Sequence, residues 1–144
     1  MEFVIDTNVF LKRKEQRRTL IHSFKKCPLT LSMLVLKALV STIVLAEICS
    51  GYYLTGELKE KEDFLLHILS SQNYSVVEVN ARVADEAARI RSEIGLKLPD
   101  AIIVATGIVR KAKYVITNDI DSFRKASKMT GIRTPKQFVL ETNL

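Results

Sequence analysis

Four acidic residues fall where chemistry could be done: Asp6, Glu47, Asp100 and Asp119. Each ends an apolar run or sits inside one. Asp6 follows Phe3-Val4-Ile5, and Asp119 closes Tyr114-Val115-Ile116-Thr117-Asn118. Glu47 lies within Val44-Leu45-Ala46-Glu47-Ile48, and Asp100 within Leu98-Pro99-Asp100-Ala101-Ile102. A charge in such surroundings is unfavourable unless it is paired or bound to a metal. If the four carboxylates converge, they repel one another and call for a cation. A set made of carboxylate oxygens, with no histidine or cysteine, selects Mg²⁺ or Mn²⁺. Such an ion polarises a phosphodiester oxygen and lowers the pKa of a bound water. The water then attacks phosphorus in line, and no protein nucleophile is needed. Asp121, two residues past Asp119, is a further candidate ligand.

Taken singly, each acid has a plain structural reading. Asp6 and Asp119 suit turns, Asp100 suits a helix N-terminus, and Glu47 suits a helix surface. The apolar context of Glu47 and Asp100, and the burial implied by the strand before Asp6, pull against that reading.

The elements that must position these acids can be read from periodicity and breakers. Phe3-Val4-Ile5 is a short buried strand ending in the turn and helix-start residues Asp6-Thr7-Asn8. Residues 12–26 are basic and compatible with a helix, and Pro28 interrupts it. Leu39-Val40-Ser41-Thr42 reads as a second strand, followed by a helix from Ile43 to Ser50 that ends near Gly51. Another helix covers Glu57 to Ser70, and Val76 to Val79 is a third strand. Asn80 is placed to cap a helix whose apolar positions are Val83, Ala87, Ile90 and Ile94, with Gly95 just beyond it. Pro99-Asp100 opens a helix that is apolar nearly all round and therefore buried. Tyr114 to Thr117 is a fourth strand, Ser122 to Met129 a short polar helix ended by Gly131, and Ile132 to Thr134 a fifth, edge strand. Thr134-Pro135 caps a last short helix. Strands alternating with helices imply a parallel sheet covered on both faces. In such folds ligands bind beyond the carboxyl ends of the strands, where Asp6 and Asp119 fall.

The 144 residues fit one domain, residues 1–144, with 47% hydrophobic and 26% charged residues. The net charge is +6 and the pI about 9.4, so acidic partners such as RNA are compatible with the surface. Cys27 and Cys49 form no C-x-x-C motif and read as core thiols. The amino terminus has neither the basic region nor the apolar run of a signal peptide. The apolar stretch 29–48 carries Lys37 and Glu47, and a lysine within a span costs about 3 kcal/mol. The stretch therefore reads as two buried elements. The expectation is a cytoplasmic protein without a membrane segment.

Four motifs occur in order along nearly the whole chain: Val4-Ile5-Asp6-Thr7-Asn8, Ser41 to Glu47, Leu98 to Thr106, and Ile116-Thr117-Asn118-Asp119-Ile120-Asp121-Ser122-Phe123. Together they resemble the four acidic motifs of PIN-domain nucleases. The length is similar to that of the VapC-type toxins of type II toxin–antitoxin pairs. The resemblance implies an α/β, PIN-like three-layer sandwich with about five parallel strands flanked by helices. It implies Mg²⁺ or Mn²⁺ dependence and endonucleolytic cleavage of RNA. It carries metal binding and catalysis onto Asp6, Glu47, Asp100 and Asp119, with Asp121 as a more variable acid. Thr7 and Thr117 match polar positions that support the acids, and Asn8 matches a position behind them. It further implies an antitoxin partner and a homodimer, for which the apolar surplus between Leu29 and Leu45, with Tyr52 and Tyr53, is the candidate interface. The segment from Lys12 to Lys37 matches nothing specific in the family.

Of the basic residues, Arg13, Arg17 and Arg18 form a block after the first acidic motif, and Arg91 and Lys97 precede the third. All five are candidates for holding RNA phosphates. The plainer reading is a solvated helix face. His22 and His67 have no partner at ligand spacing and read as surface or partly buried histidines. Three other functions compete with this one. A phosphatase-like hydrolase with Asp6 as nucleophile wants a second acid two residues on, where this chain has Asn8. A catalytically silent RNA-binding module has no need of all four acids. An RNA-processing nuclease without an antitoxin fits the same residues.

Overall fold

The computed structural model describes residues 1–10 and 37–142. The helix expected over residues 12–26, and with it Arg13, Arg17, Arg18 and His22, lies outside the described residues, as does Cys27. The described elements are β1 (Glu2–Ile5), α1 (Thr7–Phe10), β2 (Lys37–Ser41), α2 (Thr42–Thr55), α3 (Leu58–Ser70), β3 (Tyr74–Val77), α4 (Ala81–Ile94), α5 (Leu98–Val109), β4 (Tyr114–Ile116), α6 (Ile120–Phe123), β5 (Gly131–Arg133) and α7 (Pro135–Thr142). A 3₁₀ turn, Arg124–Lys128, follows α6. The five strands form one parallel sheet in the order β3-β2-β1-β4-β5. The amino-terminal strand is thus the middle one.

Alternation along the strands sorts the core into two faces. Val4, Leu39 and Val115 stand side by side in register and pack against buried residues of α2 to α5. Ile5, Ala38 and Ile116 belong to the opposite cluster, with Val9 of α1 and Phe138 of α7. α5 is the most buried helix, with Ala101 and every residue from Ile103 to Gly107 out of solvent. Gly107 lets it approach the sheet, since a Cβ there would lie 3.3 Å from the Val4 side chain.

Several boundaries differ from the sequence reading. α2 runs straight through Gly51 and stops at Gly56, whose φ of 73° and N–H contacts to the Tyr52 and Tyr53 carbonyls make it the true terminator. A glycine inside a helix loses only about 1 kcal/mol against alanine, less than the packing of Tyr52 on Phe64 can restore. β3 begins at Tyr74, because register with β2 starts at Ala38↔Tyr74 and ends at Ser41↔Val77. Beyond it the Val79 N–H donates to the Thr42 hydroxyl instead of a strand partner. The polar helix expected over Ser122–Met129 is split, since Asp119 caps the chain early and α6 gives way to the 3₁₀ turn. Gly131 opens β5 rather than closing a helix. A Cβ there would lie 2.6 Å from the Tyr114 ring, so only glycine lets β5 lie against β4 undisturbed. Where it is described, the apolar run ending at Leu45 builds the core: Ala38, Leu39, Val40 and Val44 are buried. Those residues are not an interface. Cys49 is a free, half-buried thiol rather than a core one. His67 is half-buried against the Tyr74 ring.

Candidate metal centre

β1 and β4 end side by side, and the ends are locked together. The Asp6 N–H donates to the Ile116 carbonyl at 2.9 Å, continuing the β1–β4 ladder by one residue. The Thr117 hydroxyl donates to Asp6 Oδ2 at 2.8 Å. With its one proton so used, that oxygen accepts from the Asp119 N–H at 2.9 Å and from Asn8 Nδ2 at 3.0 Å. Asn8 Oδ1 in turn accepts from the Asn118 N–H at 2.8 Å, and Asn118 Nδ2 donates to the Asn8 carbonyl at 3.2 Å. Asp6 is 4% exposed, so its orientation is set by protein contacts rather than by water.

The other acids come from helix starts. Glu47, half-buried in the second turn of α2, accepts a hydrogen bond from the Thr7 hydroxyl. Asp100 is in the first turn of α5, where Pro99 suits the helix start and Lys97 is the N-cap residue. Asp119 is the N-cap of α6 and accepts from the Ser122 N–H at 3.2 Å and the Ser122 hydroxyl at 2.5 Å.

These carboxylates feel one another. Burial, helped by the charges of Asp100 and Glu47, pushes Asp6 up to about 6 against the hydrogen bonds from Thr117 and Thr7. Burial and then Glu47 raise Asp100, Asp119 adds to this, and Lys97 opposes it. Asp119 is held low, first by Ser122 and also by Lys97. Asp6, Glu47, Asp100 and Asp119 therefore form one electrostatic neighbourhood with Lys97 at its rim.

The remaining candidates are placed differently. Asp121 is 83% exposed at its side chain and pairs with Arg124. Arg91 is exposed in the last turn of α4. Thr7, Asn8 and Thr117 all contact the acids or the residues that hold them. The sequence reading gave Ser122 no role at the site, although an aspartate at a helix start accepts from the N–H three residues on, which is that of Ser122. An all-oxygen donor set, two of whose carboxyls are raised by burial first and by their charged neighbours second, fits Mg²⁺ or Mn²⁺. Among the described residues, no three Asp, Glu, His or Cys side chains already stand grouped as a metal ion would hold them. Glu47 is turned to Thr7 and Asp119 to Ser122.

The PIN domain family profile matches residues 3–129. No curated protein matches the chain. Solved structures do. VapBC2 from Rickettsia felis, bound to a DNA fragment from its promoter, superposes with a TM-score of 0.68 at 18% identity, covering 93% of this chain and 98% of that one. A toxin–antitoxin complex from Klebsiella pneumoniae gives 0.64 at 24% identity, with coverage of 92% and 96%. FitAcB from Neisseria gonorrhoeae gives 0.64 at 23%, with coverage of 93% and 98%. At these identities the likeness is one of fold.

Proposed function

The chain belongs to the PIN domain family, and on that premise we propose that it is a Mg²⁺- or Mn²⁺-dependent endoribonuclease, the toxin of a toxin–antitoxin pair. The observation that carries the reading is the buried Asp6 carboxylate. It is held by Thr117, and its charged form is disfavoured by burial and by the charges of Asp100 and Glu47. A cation relieves that disfavour. Asp6, Glu47, Asp100 and Asp119 would hold the ion, with Asp121 available only if it leaves Arg124. When bound, the ion supplies Lewis-acid activation of water and neutralises charge at a phosphodiester.

The chain's own residues do the rest. Thr117 fixes the Asp6 carboxylate and favours its charged form. Thr7 orients Glu47. Asn8 and Asn118 keep the first and fourth motifs at a constant separation. Lys97 offers a positive charge to a phosphate arriving at the acids, and Arg13, Arg17 and Arg18 extend that attraction along the RNA. Two of the similar structures are named as VapBC and FitAcB, and a third as a toxin–antitoxin complex. An antitoxin partner for this chain follows by analogy, with a basic side chain entering the acidic centre. The reading includes a cytoplasmic location and a homodimer. Among the described residues no helix is long and apolar enough to cross a membrane.

The test is RNA cleavage by the purified chain. EDTA should abolish it and Mg²⁺ or Mn²⁺ restore it. Asp6→Asn and Asp100→Asn should each lower the rate by orders of magnitude while the fold is kept. Full activity in EDTA would remove the metal from the reading. Equal activity in the Asp6→Asn variant would remove the site.

A further inference from the structure

Ser41 is a serine in a helix N-cap position that does not cap. It ends β2 and precedes α2 with extended backbone (φ −67°, ψ 146°), yet its side chain makes no cap hydrogen bond. Serine is favoured at this position because its oxygen accepts from the first turn's N–H groups. The residue is 0% exposed, and its hydroxyl has no hydrogen-bond partner among the described residues. Leaving such a group buried and unpaired is unfavourable, because its lost hydrogen bonds to water are not replaced. An orphan of this kind calls for an explanation.

Sheet register says what it faces. The β1–β2 pairing ends at Val4↔Leu39, and that register carried two residues further sets Asp6 against Ser41, the last residue of β2. Ile5 pairs with Ile116, so one residue further Asp6 falls beside Thr117. Residues in register across a parallel sheet share a face, and alternation puts all three on the face of Val4, Leu39 and Val115. Ser41, Asp6 and Thr117 thus form a row across three adjacent strands, a carboxylate between two hydroxyls. Thr117 reaches one carboxylate oxygen at 2.8 Å. The extended register assigns Ser41 the place on the other side of Asp6.

We propose that Ser41 is a positioning residue of the acidic centre: its hydroxyl is the second side-chain donor to the Asp6 carboxylate when that carboxylate holds a cation. This rests on the metal-dependent reading above. Among the described residues nothing else engages that hydroxyl. In the loaded chain it and Thr117 fix the carboxylate plane from both sides, as partners behind metal ligands do.

The experiment measures Mn²⁺ binding by calorimetry and thermal unfolding without metal, for the wild type, Ser41→Ala, Ser41→Thr and Asp6→Asn. Ser41→Ala should weaken Mn²⁺ binding about 10- to 100-fold while the metal-free melting temperature holds or rises. Ser41→Thr, which keeps the donor, should bind within a few-fold of wild type. Wild-type affinity in Ser41→Ala overturns the proposal. So does a loss of affinity matched by a loss of metal-free stability, which marks a merely structural role. If the wild type itself binds no Mn²⁺, the metal-dependent reading falls and this inference with it. If the wild type binds, Asp6→Asn does not and Ser41→Ala is indifferent, only the role of Ser41 is lost.

Discussion

A carboxyl raised in the fold makes a specific demand on pH. Asp6 moves from 3.8 to about 6, so the folded chain holds this proton more tightly than the unfolded one. The stabilisation from protonation is complete below the unfolded value near 3.8. It is lost as pH rises through about 6. Converted at 1.4 kcal/mol per tenfold change, the charged form costs the metal-free fold about 3 kcal/mol above that pH. Asp6→Asn should therefore stabilise the metal-free chain at pH 7.5 and do much less at pH 4.5, as read from urea melts at both. Added Mn²⁺ should raise the wild-type melting temperature and leave the variant unmoved. A variant that is destabilised equally at both pH values would contradict this account. At this scale the acids were legible in sequence, because a charge inside an apolar run is conspicuous. Thr7 and Thr117 were legible beside them as family positions. Ser122 and Ser41 were not singled out: a hydroxyl is unremarkable in sequence, and the role of Ser41 depends on which strand lies alongside.

The strands and helices were legible as types, and their ends were not. Apolar runs and helical spacing located every described element longer than four residues. Boundaries went astray where a tertiary contact overrode a local signal, as at Gly51, where α2 continues because its aromatic residues pack on α3. Two substitutions test the local chemistry of these elements. Asn80 Oδ1 accepts from the Val83 N–H at 3.1 Å and caps α4, so Asn80→Ala should cost about 1 kcal/mol in a urea melt. Gly131→Ala forces a Cβ into the Tyr114 ring. It should cost about 1–3 kcal/mol, the range for overpacking a close-packed site. Both variants should keep wild-type Mn²⁺ affinity, since neither residue touches the acids.

The whole molecule carries +6, while four of its sixteen acids, Asp6, Glu47, Asp100 and Asp119, share one electrostatic neighbourhood. On the proposed function, a positive surface around that negative centre draws in RNA, and a cation is needed where the phosphate is to react. Binding of an uncleavable RNA should weaken steeply with salt, each phosphate contact adding about 0.7 to the log–log slope. Lys97→Ala should flatten that slope by about one contact, and replacing Arg13, Arg17 and Arg18 together by about three, as measured by fluorescence anisotropy. An unchanged slope in the triple variant would assign that block to solvent alone. Tyr53, Leu54 and Leu58 at the α2–α3 turn and Leu66 and Leu69 further along α3 are exposed. Light scattering at micromolar concentration should give a dimer mass that Leu54→Asp with Leu66→Asp reduces to a monomer. The order of the strands has a consequence for how such a protein is made. β1 is synthesised first but takes its place between β2 and β4, and Asp6 meets Thr117 across a sequence separation of 111. The centre cannot assemble until β4 and Thr117 have been translated. A nascent chain, or one truncated before the fourth strand, therefore carries the first three acids without their meeting place. On the proposed function, the ribosome making this chain works beside an enzyme that is inert until its fourth strand has emerged.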